Sequence, residues 1–188
     1  MLDDPKIGMT GGQVVPVNGE GTFIGKCVHT LWRLHHVIAM RSPKMGEMIA
    51  FRNVVSRIPD DTAVDEVSIE TDISKQGFGF AYVPAAIIRN KGPETVGDFL
   101  KQRRRIHAGH LDARKETGYA PSTMSITRVG RAFAADVLSR PERIPAGVSV
   151  AALEAAGRLL GTYDHYVAGR SHAVWEIAVT TKDVKGHQ

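Results

Sequence analysis

Gly92-Pro93-Glu94-Thr95-Val96-Gly97-Asp98-Phe99-Leu100-Lys101-Gln102-Arg103-Arg104-Arg105-Ile106-His107-Ala108-Gly109-His110 reads as one helix. Pro93 suits a first helical turn, where its missing N–H costs nothing. Glu94 and Asp98 put negative charge near the positive end of the helix dipole, and Gly109 is a natural stop. Gln102 and Arg105 are three residues apart, so both point to one side. Phe99 and Ile106 flank them and can hold that side against a core.

Three features precede this helix. Gly46-Glu47-Met48-Ile49-Ala50-Phe51-Arg52-Asn53 reads as a turn running into a strand, Glu47 to Phe51. Ile58-Pro59 leads to the acidic pair Asp65-Glu66, and Gly77-Phe78 leads to Tyr82-Val83-Pro84. Phe78, Phe80 and Tyr82 alternate with period two, which says strand, and Pro84 breaks it into pieces at 78–83 and 86–90. Together with Gln102-x-x-Arg105-Ile106, these features resemble, in order and spacing, the family 2 glycosyltransferases over about residues 5 to 110. Ile106 stands where that family's QxxRW motif has Trp.

The resemblance implies an α/β fold: a partial GT-A-like domain with a small mixed sheet over residues 1–115, then a helical C-terminal extension over 116–188. It implies transfer of a sugar from a nucleotide-sugar donor to a hydroxyl of a saccharide or lipid-linked acceptor, with inversion. Glu66 stands eleven residues before Gly77, the family spacing of the base to its glycine. Asp65 is the alternative one residue away; its bland role is to cap the helix over 62–76, with Thr62 three residues before it. Gln102, Arg105 and Arg104 are implied in substrate binding, and Arg suits bidentate phosphate contact. For Arg103 and Arg104 the competing reading is a solvated helix face. Glu47 lines an acceptor pocket or is simply a strand-end charge in water.

Glycosyl transfer also needs a cation at the leaving diphosphate, and the resemblance implies a divalent metal, Mg or Mn, in the complete enzyme. The family's nucleotide-binding half with its DxD motif has no counterpart in this sequence. The expectation is therefore an acceptor-side half, whether truncated, excised or one part of a split enzyme, with negligible turnover alone and a tendency to form homo-oligomers. A non-catalytic binding domain on the same fold is the alternative function, separable by nucleotide-sugar titration.

The chain's bulk properties fit these readings. Its 188 residues allow one domain with a real core, and 43% apolar with 23% charged residues is ordinary for a globular protein. A net charge of +4 suits an anionic ligand or membrane surface but is too weak to argue nucleic acid, and the Arg run lacks an aromatic platform. The single cysteine, Cys27, excludes an internal disulfide and reads as a buried apolar residue. No apolar run reaches membrane-spanning length. A cytoplasmic location is expected, either free or at the cytoplasmic face of a membrane.

Elsewhere the patterns predict a strand at 13–17 and a turn at Gly11-Gly12. A helix at 26–41 should turn Val28, Leu31, Trp32, His35 and Ile38 inward. No two histidines of that helix share a face with an acid, so a zinc site is not expected. Residues 111–125 read as loop, and helices follow over 126–138, 150–166 and 172–183.

Overall fold

The computed structural model describes residues 3–44, 46–60, 62–118, 122–170, 172 and 179–181. The chain is mixed α/β. Strand β1 (Ile7–Pro16) lies at the centre of a three-stranded sheet. Strand β2 (Ile49–Phe51) pairs with it antiparallel, and β3 (Gly79–Asn90) pairs with it parallel on the other side. Between β1 and β3 come helices α1 (Phe23–Ala39) and α2 (Asp65–Lys75). Helices α3 (Val96–Thr117), α4 (Ile126–Ser139) and α5 (Ile144–Tyr163) follow.

Strand β1 is twice the length expected and takes in Gly11-Gly12, which are therefore not a turn. Its glycines erase the period-two signal, and packing explains them. A Cβ on Gly12 would meet the Ala86 carbonyl oxygen at 2.2 Å. At that point the register jumps: Gly12 pairs with Val83, and Gln13 pairs with Ile87. Pro84 thus does not split β3 into two strands. Residues 84–86 bulge, which lets a residue without an N–H sit in a continuous strand.

Helix α1 opens on Thr22, whose Oγ1 accepts the Gly25 N–H at 3.0 Å. Its inward residues Ile24, Cys27, Val28, Leu34 and Ile38 form one core with Phe99 of α3, Ala132 of α4 and Val150 of α5. A second core sets α2 on the sheet through Met9, Ile69 and Ile73, and a third joins α2 to α3 through Val64, Val67 and Ala113.

Helix α3 begins as a capped helix. The Thr95 side chain accepts the Asp98 N–H at 3.1 Å, so Pro93 lies just outside the helix rather than in its first turn. It does not stop at Gly109. A Cβ there would meet Ala63 and Val64 at 3.0–3.2 Å, so this glycine is present for helix contact. The stop is Gly118, at φ 74°, a left-handed cap that glycine adopts without steric cost. Residues 111–117, expected as loop, are helix.

Helix α5 is pressed on α3. A Cβ on Gly157 would meet Arg103 Cβ at 2.7 Å, and one on Gly161 would meet the Arg104 carbonyl oxygen at 2.6 Å. Gly161→Leu is therefore expected to force the pair apart and cost about 1–3 kcal/mol, read as a lower denaturation midpoint. An unchanged midpoint would rule out this contact.

The helical run Pro141–Ala168 is long and apolar enough to cross a membrane by length and composition, although Glu154 and Arg158 interrupt its apolar sequence. Its outer side exposes Val148, Leu159, Tyr166 and Val167. The helix expected over 172–183, with Trp175 and Ile177, lies outside the described residues except for His172 and a short turn at Val179–Thr181.

Candidate active site

Helix α2 begins at Asp65, directly after a Thr62-Ala63-Val64 approach. The N-cap is Val64, without a side-chain cap. Thr62 Oγ1 accepts the Val64 N–H at 3.1 Å, so Asp65 is not the cap of a capping box. Asp65 is exposed in the first turn, where its charge suits the helix dipole. Glu66 is half-buried, and its Oε1 lies 3.9 Å from Lys44 Nζ.

Arg105 projects from the middle of α3. Burial pulls its guanidinium pKa down, while the carboxylates of Glu66, Glu47 and Asp65 act in the opposite direction. These three acids come from the turn before β2 and the start of α2, so charges from two other chain segments act on one arginine. Glu47 is exposed and precedes the strand, which begins at Ile49 rather than at Glu47. Gln102 is half-buried one turn before Arg105 on the same side of α3.

The other two arginines turn away from this group, toward α5. Arg104 forms a two-pronged pair with Asp164, which has no exposed surface. Arg103 pairs with Glu154, which also holds Arg158. Neither is a bare solvated face. Both fasten the C-terminal helix to the arginine-bearing helix.

Sequence reasoning missed the interior behind Glu66. Lys44 is 6% exposed. His35, edge-on to Trp32, is held down to about 3 by desolvation and by the charges of Lys44, Arg103 and His36. His110 is buried, with Nε2 lacking a hydrogen-bond partner among the described residues, and burial plus Lys44 and Arg103 pushes it well below the usual value. His107 is lowered for the same first cause, burial. A lysine in a Pro-Lys turn reads as solvated, so no sequence signal marks Lys44.

These histidines give the fold an acid sensitivity with a definite sign. Their folded pKa values lie below the ordinary value of about 6.5. The unfolded chain therefore takes up protons first, and stability is lost as pH falls below that value. The urea midpoint is expected to decline steadily from neutrality downward, and His110→Gln to flatten part of that slope. A midpoint constant through this window would contradict the neutral, desolvated rings.

At this site the described residues do not form a divalent-metal ligand set. Among the described residues no group of three His, Cys, Asp or Glu side chains could hold one. The acids at this site neighbour Arg105 and Lys44, which oppose a second cation.

A half-buried carboxylate beside a lysine, with a partly desolvated arginine facing acids across a helix pair, is an arrangement able to take a proton and hold an anion. The family model described as glycosyl transferase family group 2 matches residues 1–141, from before β1 through α4. The chain belongs to that family, and its role is glycosyltransferase-like. No curated protein and no solved structure matches it.

Proposed function

We propose that this site transfers a sugar from a nucleotide-sugar donor to a hydroxyl of a saccharide or lipid-linked acceptor, with inversion. The acceptor oxygen attacks the anomeric carbon as the bond to the diphosphate breaks. The bonding pair leaves on the diphosphate oxygen, and the hydroxyl proton passes to Glu66. A single displacement of this kind inverts the centre. Arg105 takes up the charge developing on the departing phosphate, and a planar guanidinium suits that role. Gln102 orients the substrates by hydrogen bonding. Lys44 holds Glu66, while Asp65 and Glu47 balance Arg105.

The observation that supports this reading is the half-buried Glu66 paired with buried Lys44, its charge also acting on Arg105 together with those of Glu47 and Asp65, in a family 2 chain. Arg104 is spent on Asp164 and takes no part in the proposed chemistry.

The test is titration of the protein with nucleotide sugars, followed by assay of nucleoside diphosphate release in the presence of acceptors. Micromolar binding with acceptor-dependent release supports transfer. Absence of binding at millimolar donor overturns it in favour of a non-catalytic binding domain.

A further inference from the structure

Beyond the Gly109 contact, α2, α3 and the loop before α2 border a polar pocket. Its walls include Arg57 of that loop, Ser68, Asp72 and Lys75 of α2, and Asp112 and Glu116 of α3. Two of the acids are fixed. Asp72 Oδ2 accepts the Ser56 N–H at 3.2 Å, which pins the loop to α2. Asp112 Oδ1 meets His165 Nδ1 at 2.7 Å, which ties the rim to the run following α5. The pocket is thus built from four segments rather than being a surface dent.

We propose that this pocket binds a neutral polyhydroxylated ligand: a further sugar unit of the acceptor, away from the reacting hydroxyl. The proposal rests on the glycosyl-transfer reading above. Three observations carry it. First, Arg105, Asp112 and Glu116 are spaced at seven and four residues, so they lie along one ridge of α3. At 1.5 Å per residue, Asp112 and Glu116 lie about 10 and 16 Å along the axis from Arg105, separations that an oligosaccharide chain bridges. Second, the lining mixes hydroxyl and cationic donors with carboxylate acceptors, matching hydroxyl groups that both donate and accept. Third, the three carboxylates outnumber Arg57 and Lys75, so a diphosphate is disfavoured here and belongs at Arg105.

Backbone amide spectra of the full chain, titrated with maltose, cellobiose and diacetylchitobiose and separately with UDP, test this. At least one disaccharide is expected to shift amides of 68–75 and 112–117 saturably, while UDP leaves them in place. Glu116→Gln, similar in size and at an exposed position, is expected to weaken that binding about tenfold, the loss of one hydrogen bond to a charged group. Ser68→Trp, which fills the pocket, should abolish it. Glu66→Gln should leave it intact, because Glu66 faces Lys44. No saturable shift at these amides with any disaccharide overturns the proposal, as does a shift there with UDP. Disaccharide binding without any sugar transfer keeps the pocket and removes the transfer reading. Transfer with an acceptor KM indifferent to Glu116→Gln and Ser68→Trp keeps the reading and removes the pocket.

Discussion

In a form joined to the family's nucleotide-binding half, Glu66→Gln is expected to lower turnover by about 10²–10⁴-fold, the usual contribution of a general base, while donor affinity changes little. The amide has nearly the same shape and can still sit beside Lys44, whose Nζ lies 3.9 Å from Glu66 Oε1 in the native ion pair. It cannot take the acceptor proton. Asp65→Asn should behave differently. Asp65 is exposed and caps nothing, so its loss removes a charge near the helix dipole, worth about 0.3–1 kcal/mol of stability, and one of three carboxylate charges acting on Arg105. Arg105→Lys should reduce turnover despite the retained charge, because a point charge cannot reproduce the planar fork. Steady-state rates with donor dissociation constants measured in parallel separate these outcomes. Loss of turnover in Asp65→Asn with a silent Glu66→Gln would move the base by one residue. Silence at both acids would end the catalytic reading of this stretch.

Local chemistry made part of this architecture legible before any coordinates. Helix α3 was readable from Asp98 and the flanking Phe99 and Ile106, although the sequence points to a start at Pro93 rather than after Thr95, and α1 was readable from the periodicity of Val28, Leu31 and Ile38. Both are helices whose own side chains carry the signal. Where the fold depends on a distant segment, the pattern misled. Gly109 looks like a terminator, but it is a contact glycine against Ala63 and Val64. Gly11 and Gly12 look like a turn, but they lie in the middle of the central strand, where Ala86 crowds in on Gly12. Pro84 looks like a break, but the bulge absorbs it. The same division holds at the site. Glu66 and Arg105 stand out by spacing, whereas Lys44 becomes notable only when buried against Glu66. The run Arg103-Arg104-Arg105 divides its tasks by helical geometry: adjacent residues point about 100° apart at 3.6 residues per turn. Two therefore meet α5 and one meets the acids.

Arg104→Ala is expected to be the most destabilising of the single substitutions considered. Asp164 has no exposed surface, and its carboxylate is held below the usual range first by hydrogen bonding to Arg104, against the opposing effect of burial, with His172 Nε2 adding a contact at 2.9 Å. Removing one partner of a buried pair costs about 3–5 kcal/mol, because the remaining charge stays buried without its partner. Asp164→Ala should cost less, since Arg104 is 28% exposed and can turn to water. The pH dependence sets this account apart from simple packing. In the native protein the depressed carboxylate contributes stability above its ordinary value of about 3.9, and that contribution is lost as pH falls through the lower folded value. In Arg104→Ala, burial instead pushes the Asp164 carboxyl upward, so protonation relieves the variant while native stability declines. The stability gap between the two proteins should therefore be widest near neutrality and narrow as acid is added. A gap independent of pH would make the loss one of packing alone. A variant as stable as the native protein but weaker for nucleotide sugar would return Arg104 to the substrate and undo its assignment to α5.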